Sequence, residues 1–478
     1  MRSDRAVSDF SRPVKGCVLA LIAAVFLAVP GCNDGPFDLD VDDPDNVTPE
    51  QLAGPDAVPN ALAGMVGDFQ EGFDEYLLYS ALFTDEAIAA GTFPTRIDVD
   101  ERTVVQTPGN ASLTADIYLE MHISRTSADE LVTNFQSSLG QEEFSEVEGL
   151  LRDGIALGKY YGAYDRQLFA EMYCQSIFGG EDGEESPLGS DSRMEEAFAL
   201  FDEARTAAQE ADLPDIATAA QVGKARAQLW LGNYQQAAQE VSDVPTSFIF
   251  TAEYSGNQNS QNNEFFQFSW GVIQRLRWTV GDGSEDRRHN EKFSYYDEWV
   301  DQGLIVPEPS GFRAAEEGVP VHLQTLYSQA DIGVLLASGW EARMIEAEAA
   351  LRNGNPGAAE DIVNPLLQDP SANPMAALNP ALLDSRTIGG QSVPAMGAFD
   401  PVEFTGDLQS DLQELARARA AGLWLSGQRQ GTARRFAEEF GDPSGLGLYP
   451  EGTEGDDLFF PVADQELDNN PNISSACP

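Results

Sequence analysis

Lysine is nearly missing from this chain of 478 residues: only Lys15, Lys159, Lys224 and Lys292 contribute to the 28 Lys+Arg, against 79 Asp+Glu, for a net charge of −51. A polyanion of this kind has no basic footprint with which to displace phosphate counterions, so nucleic acid is excluded as a partner. Histidine is equally scarce. His122, His289 and His322 are too far apart in the chain for a shared local motif, and HExxH, GxSxG and GxGxxG are all absent. Gly154 to Lys159 has one residue too few between its glycines for a phosphate loop, and Tyr160 follows where Ser or Thr should stand. A carboxylate pair for glycoside hydrolysis is recognised by separation in space and not by counting. The expectation is nevertheless a protein that is not an enzyme and carries no cofactor or metal.

Long apolar runs are also lacking. The longest, Cys17 to Val29, spans 13 residues, too few for a bilayer core that needs about 20. It follows Arg2, Arg5, Arg12 and Lys15, which makes residues 1–31 an export signal. Val29-Pro30-Gly31-Cys32 resembles the lipobox of bacterial lipoproteins, which implies a mature chain that starts at a lipidated Cys32. Ordinary secretion with cleavage nearby and an uncleaved anchor are the competing readings. Residues 32–50 carry Asp34, Asp38, Asp40, Asp42, Asp43 and Asp45 with little apolar content and read as a tether. A calcium hand is rejected there, because Asp43 sits where glycine must make the turn and Pro49 where a glutamate should close the loop. Cys174 and Cys477 then remain as the mature thiols; a buried free Cys174 is the plainer reading and a disulfide between them the alternative.

With 42% hydrophobic and 9% aromatic residues, the rest has the composition of a folded protein. Helical spacing of apolar residues dominates: Gln51 to Met65, Ser112 to Gln136, Glu143 to Ile177, Met194 to Ala211 and Thr218 to Leu231. Two segments share a pattern in which a helix stops at Gly-Asn and an alanine follows five residues after the glycine: Gly232 with Ala237, and Gly354 with Ala359. Glycine there suits the left-handed helix-ending conformation, and alanine permits close packing of the next helix. The glycines lie 122 residues apart, which favours dispersed hairpins within one domain over a tandem solenoid. Trp340, Met344, Ala347 and Leu351 form an apolar stripe, as do Leu412, Leu415, Ala416, Ala420, Leu423 and Trp424, and both are read as packing between helices. Residues 245–336 break the helical pattern and are dense in aromatics, the kind of segment in which binding usually resides.

The order of these segments resembles the SusD/RagB family of outer-membrane nutrient-binding lipoproteins across nearly the whole mature chain. The resemblance rests on the lipobox; on KYYGAYDRQLFAEMYCQSIFGG from Lys159 to Gly180; on Ser192 to Glu196 with Leu213-Pro214; on EARMIEAEAALRNGN from Glu341 to Asn355; and on RARAAGLWLSGQRQGTARR from Arg417 to Arg435, with Phe460-Pro461-Val462 and Asn470-Pro471-Asn472. Ser426 and Thr432 stand where that pattern commonly has acidic partners for arginine, so the ion pairs around Arg429, Arg434 and Arg435 are expected to be rewired, with these arginines clamping helices.

The resemblance implies a mostly α-helical SusD-like fold over residues 51–478, with tetratricopeptide-like hairpins, long irregular loops and few short strands. Residues 51–244 and 337–478 would be its helical parts and 245–336 its loop-rich part. It further implies a lipid-anchored protein on the outer membrane, facing the exterior, that binds an oligosaccharide or peptide and serves a SusC-like TonB-dependent transporter. Trp270, Trp278, Tyr295, Tyr296 and Trp299 are the candidate ligand platform, since sugars pack on flat aromatic faces; packing beneath the loops is the alternative. A cell-surface helical scaffold for protein partners, with no nutrient, is the rival reading.

Acidity of this degree matches proteins that face concentrated brine, although a plain solvated acidic surface gives the same composition. Self-repulsion is screened as the Debye length falls from about 30 Å at 0.01 M salt to about 3 Å at 1 M. Under the brine reading the unfolding midpoint rises steadily from dilute to molar KCl, and a midpoint indifferent to salt refutes it.

Overall fold

The computed structural model describes residues 54–84, 86–104, 107–179, 186–270, 278–280, 296–308, 321–388, 390–442, 444–449, 457–470 and 472–473. The export signal expected at 1–31, Cys32 and the tether lie outside these residues. From Gly54 onward the chain forms one compact unit. Its scaffold is ten helices: α1 (Val58–Phe83), α2 (Pro108–Ser138), α3 (Glu148–Met172), α4 (Ser190–Glu210), α5 (Pro214–Trp230), α6 (Tyr234–Glu240), α7 (Gly339–Arg352), α8 (Pro356–Gln368), α9 (Leu408–Leu423) and α10 (Gln428–Phe440). Strands are few and short, and among the described residues they form five two-stranded antiparallel pairs.

Local chemistry starts the helices. Thr107 Oγ1 accepts from Asn110 N at 3.2 Å ahead of Pro108, and Asn355, Ser338 and Asp407 cap α8, α7 and α9 in the same way. The first helix runs on to Phe83 instead of stopping near Met65 as the sequence spacing predicts. Gly72 explains the extension: a Cβ there would lie 2.9 Å from the Glu120 carbonyl oxygen, so its absence lets α1 cross α2 closely without ending the helix. Gly158 works similarly, a Cβ there falling 2.8 Å from Val132, and Gly154 abuts Phe135. The glycines that fall short of a phosphate loop are thus the contact face between α2 and α3.

Both hairpins form where the Gly-Asn pattern puts them. Gly232 has φ +74° between α5 and α6, and Gly354 has φ +69° between α7 and α8. Ala237 and Ala359 are fully buried, as is the stripe of Trp340, Met344, Ala347 and Leu351. The hairpins, dispersed in the chain, meet in space. Ile249–Ala252 pairs antiparallel with Val334–Ser338, so the chain leaves and re-enters the scaffold at one place and α6 packs on α7. Helices α1 to α8 therefore stack in sequence order, α9 packs chiefly on α7, and α10 packs back onto α1 and α3.

Buried charge ties this stack together. Glu341 and Glu348 of α7 have no exposure. Glu341 receives Nε (2.5 Å) and Nη2 (2.7 Å) of Arg226 from α5, and Glu348 receives both Nη groups of Arg435 from α10 at 2.5 and 2.8 Å. Arg352 adds a contact to Glu348 at 2.9 Å and reaches Glu439 on α10. Arg434 donates to Glu438, to the Ala170 and Tyr173 carbonyls at the end of α3, and to Ser190, while Arg429 donates to the Leu448 carbonyl. Arg434 and Arg435 clamp helices, as read from the sequence, whereas Arg429 ties α10 to the turn at Leu448.

Cys174 departs from the plainer reading: it is disulfide-bonded, its partner lying outside the described residues.

Although burial raises the pKa of Glu348, Arg435 and Arg352 hold it down at about 2. The stability it contributes is complete above the unfolded glutamate value of about 4.3 and is lost as pH falls toward 2. Glu348→Gln leaves two buried guanidinium groups short of charge and is expected to cost about 3 kcal/mol in urea unfolding at pH 7, with a smaller cost near pH 3.

Candidate functional site

The irregular part between the paired strands builds a small secondary sheet at one corner of the scaffold. Ile88–Ala89 pairs with Trp278–Thr279, Val280 N donates to the His322 carbonyl at 3.1 Å, and His322–Gln324 pairs with Ile305–Pro307. Beneath it lies a separate apolar cluster of Ala90, Val306, Val321, Leu323 and Val393, closed by Trp270 and Ile388.

Of the sequence-predicted platform, the side chains of Trp270 and Trp299 are described, and these two do not share one surface. Trp270 is half-buried, and its indole N–H donates to the Gln324 carbonyl at 2.7 Å, which leaves part of the ring open at the edge of the cluster. Trp299 is 2% exposed and stacks on Trp424 of the helical scaffold, ring centroids 4.5 Å apart and planes 23° from parallel. It packs beneath the loops and offers no face to a ligand, because α9 ends on a second tryptophan that covers it. Trp278 stands opposite Ala89 on the edge pair, and Tyr296 opens the short helix Tyr296–Asp301. Tyr295 lies outside the described residues.

A different group of residues gathers at this corner. Phe93, 48% exposed, precedes the short helix Pro94–Asp100. The Arg96 guanidinium stands 5.1 Å from the Phe93 ring centroid and 5.0 Å from that of Phe268, on the short helix Glu264–Ser269 just before Trp270. Sequence reading passed over these residues because Phe93 lies far from the aromatic-rich segment; the one local signal is the Gly91-Thr92-Phe93-Pro94 turn, which projects an aromatic from a loop. Acidic groups border the same corner. Burial and neighbouring carboxylates raise Glu75 to about 7, and burial with Glu71 raises Glu264 to about 7. Asp74 is also pushed well up by burial and accepts the Tyr254 hydroxyl at 2.6 Å. Near neutral pH, carboxyls of this kind both donate and accept hydrogen bonds, as a hydroxyl-rich ligand requires.

No group of three His, Cys, Asp or Glu among the described residues could hold a metal ion. His122 lies between the rings of Tyr118 and Phe169, at 4.4 and 4.6 Å, where burial and the charges of Arg125 and Arg193 lower its pKa to about 3. It is a neutral packing group. Elsewhere, an open groove lined by Gln136, Arg152, Lys159, Glu203 and Glu210 carries no aromatic ring, and its lysine is paired with Glu203.

No protein-family profile and no curated protein matches this chain. Solved structures do match. A SusD superfamily protein from Bacteroides vulgatus ATCC 8482 aligns with TM-score 0.58 and 11% identity over 89% of this chain and 99% of its own. A SusD/RagB family protein from Bacteroides thetaiotaomicron VPI-5482 aligns with TM-score 0.62 and 13% identity over 86% and 94%. A third structure, solved with xylogluco-oligosaccharide, aligns with TM-score 0.56 and 11% identity over 87% and 98%. The fold of this chain is thus SusD-like: mostly helical, with a few short strands.

Because Glu75 and Glu264 keep in the folded state protons that the unfolded chain releases above about 4.3, their effect on stability falls as pH rises from there to about 7. Urea midpoints are expected to decline between pH 5 and pH 8, and Glu75→Gln is expected to flatten that decline; an unchanged slope in the variant rules out this origin.

Proposed function

We propose that this chain is a lipoprotein of the outer membrane that captures oligosaccharides outside the cell and passes them to a SusC-like TonB-dependent transporter. The observation that carries the reading is the SusD-like fold, matched over 89% of the chain. A fold hosts more than one function. Independent support comes from the lipobox ending at Cys32 with its acidic tether, and from the neighbour solved with xylogluco-oligosaccharide. In this reading residues 1–31 are removed, Cys32 bears the lipid, residues 51–478 are the binding domain, and the protein does no chemistry on its ligand.

The ligand surface is the corner of Phe93, Arg96, Phe268 and the open edge of Trp270. Phe93 supplies a flat ring for C–H packing, and the guanidinium and raised carboxyls supply partners for hydroxyls. Burial raises Asp74, Glu75 and Glu264 toward their neutral forms and leaves this corner little charge of its own, so neutral glycans are favoured over acidic ones.

Two measurements test this. Calorimetry with neutral oligosaccharides, xyloglucan fragments among them, is expected to give binding that Phe93→Ala weakens about tenfold, equivalent to about 1.4 kcal/mol. Affinity isolation from detergent-solubilised outer membranes is expected to recover a TonB-dependent transporter. Recovery of other surface proteins alone, with no glycan bound, replaces nutrient capture by the scaffold reading.

A further inference from the structure

A small cavity lies inside the scaffold where α5, α9 and α10 meet. Three guanidinium groups line it, those of Arg226, Arg419 and Arg435, together with Gln428, Thr432 and Glu171. Two of the arginines are committed to the carboxylates of α7: Arg435 to Glu348 through both Nη groups, and Arg226 to Glu341 through Nε and Nη2. Arg226 Nη1 remains buried with no acceptor. Arg419 is more extreme. Its side chain is 7% exposed, Nη1 is buried without an acceptor, and the carboxylates that act on it, Glu341 and Glu348, act through space while bonded to other arginines.

An arginine cannot shed its proton in a protein, so this charge must be met where it stands. Glu171 is the one carboxylate lining the cavity, and it already accepts from the Tyr76 hydroxyl at 2.8 Å and from Gln167 at 2.7 Å. Burial also pushes Glu171 toward its neutral form and makes the charge of Arg419 costly. Water would satisfy the two free N–H groups, and an anion would in addition bring charge of the opposite sign to them. Gln428 donates to Glu341 and has its Oε1 unpaired, so it and the Glu171 carboxylate are the lining groups that favour water over an anion. The cavity has room for one small ion or water.

We propose that this cavity is a binding site for a small inorganic monoanion of chloride size, held between the free N–H groups of Arg419 and Arg226, which makes halide an integral part of the helix clamp. The site is independent of the glycan-binding reading. Its role is structural, since it meets the N–H groups of Arg419 and Arg226 that have no acceptor in the protein.

The test separates halide from general salt effects. Potassium is held at 1 M while gluconate is replaced stepwise by chloride, and then by bromide, and thermal unfolding of the mature chain is followed. The midpoint is expected to rise saturably by about 2 °C with either halide. Arg419→Met, which removes the unmet charge at similar volume, is expected to fold and to lose that rise. Equal midpoints in gluconate and chloride, or the same rise in the variant, overturn the proposal and leave water in the cavity. If the variant does not fold, chloride NMR line width on the unaltered protein decides: excess broadening relieved by bromide supports the site, and its absence overturns it.

Discussion

Glu341 and Glu348 are the constraint on which the helix stack depends. Seven residues apart on α7, they lie two turns apart and project from nearly the same face. That face meets α5 through Arg226 and α10 through Arg435, helices that enter the chain before and after α7. Two carboxylates thus fix one helix against two others distant in sequence. Burying a charge is costly unless it is paired and hydrogen-bonded, and here each oxygen of both carboxylates has a donor. Sliding α7 by one turn would break every one of these contacts together, so the pairs define helix register as well as helix proximity.

What could be read from the sequence follows from how local each cause is. Helix ends at Gly232 and Gly354, the small alanines after them and the apolar stripe on α7 are set by residues within two turns of one another, and the structure has them as read. The neighbourhood of the two hairpins has a non-local cause. It follows from the pairing of Ile249–Ala252 with Val334–Ser338, strands with no distinctive alternation that join across the whole irregular segment. Gly72 is a related case, because its value lies in the approach of α2 and not in its own helix. The candidate site was less legible still. Trp299 is attractive by composition, yet its fate depends on Trp424, a residue beyond the segment in which it lies. Arg96 draws its importance from Phe268, which joins it only through the fold.

The composition takes on a second meaning once cations are located. Lys159 pairs with Glu203, Lys224 lies 2.6 Å from Asp202, and Arg226, Arg419, Arg434 and Arg435 face inward. Basic residues are therefore drawn to helix junctions, and the surface they leave is more acidic than the overall count conveys. Scarcity of lysine fits this arrangement, since planar guanidinium groups satisfy buried carboxylates with two parallel hydrogen bonds and an ammonium group does not.

The same distribution shapes the corner that holds Phe93 and Arg96. Carboxylates that face open water remain ionised, whereas Glu75 and Glu264, partly removed from water and crowded by Glu71, are held near neutrality. Desolvation thus turns part of an acidic surface into neutral hydrogen-bonding groups next to an exposed aromatic ring. A protein with so strong a negative field can in this way present a patch with little charge of its own, and that patch lies beside irregular backbone held on the rigid helix stack. Rigid support would let weak contacts with a ring and a few carboxyls act together on the ligand proposed for this corner, because the surface would not need to be ordered on binding.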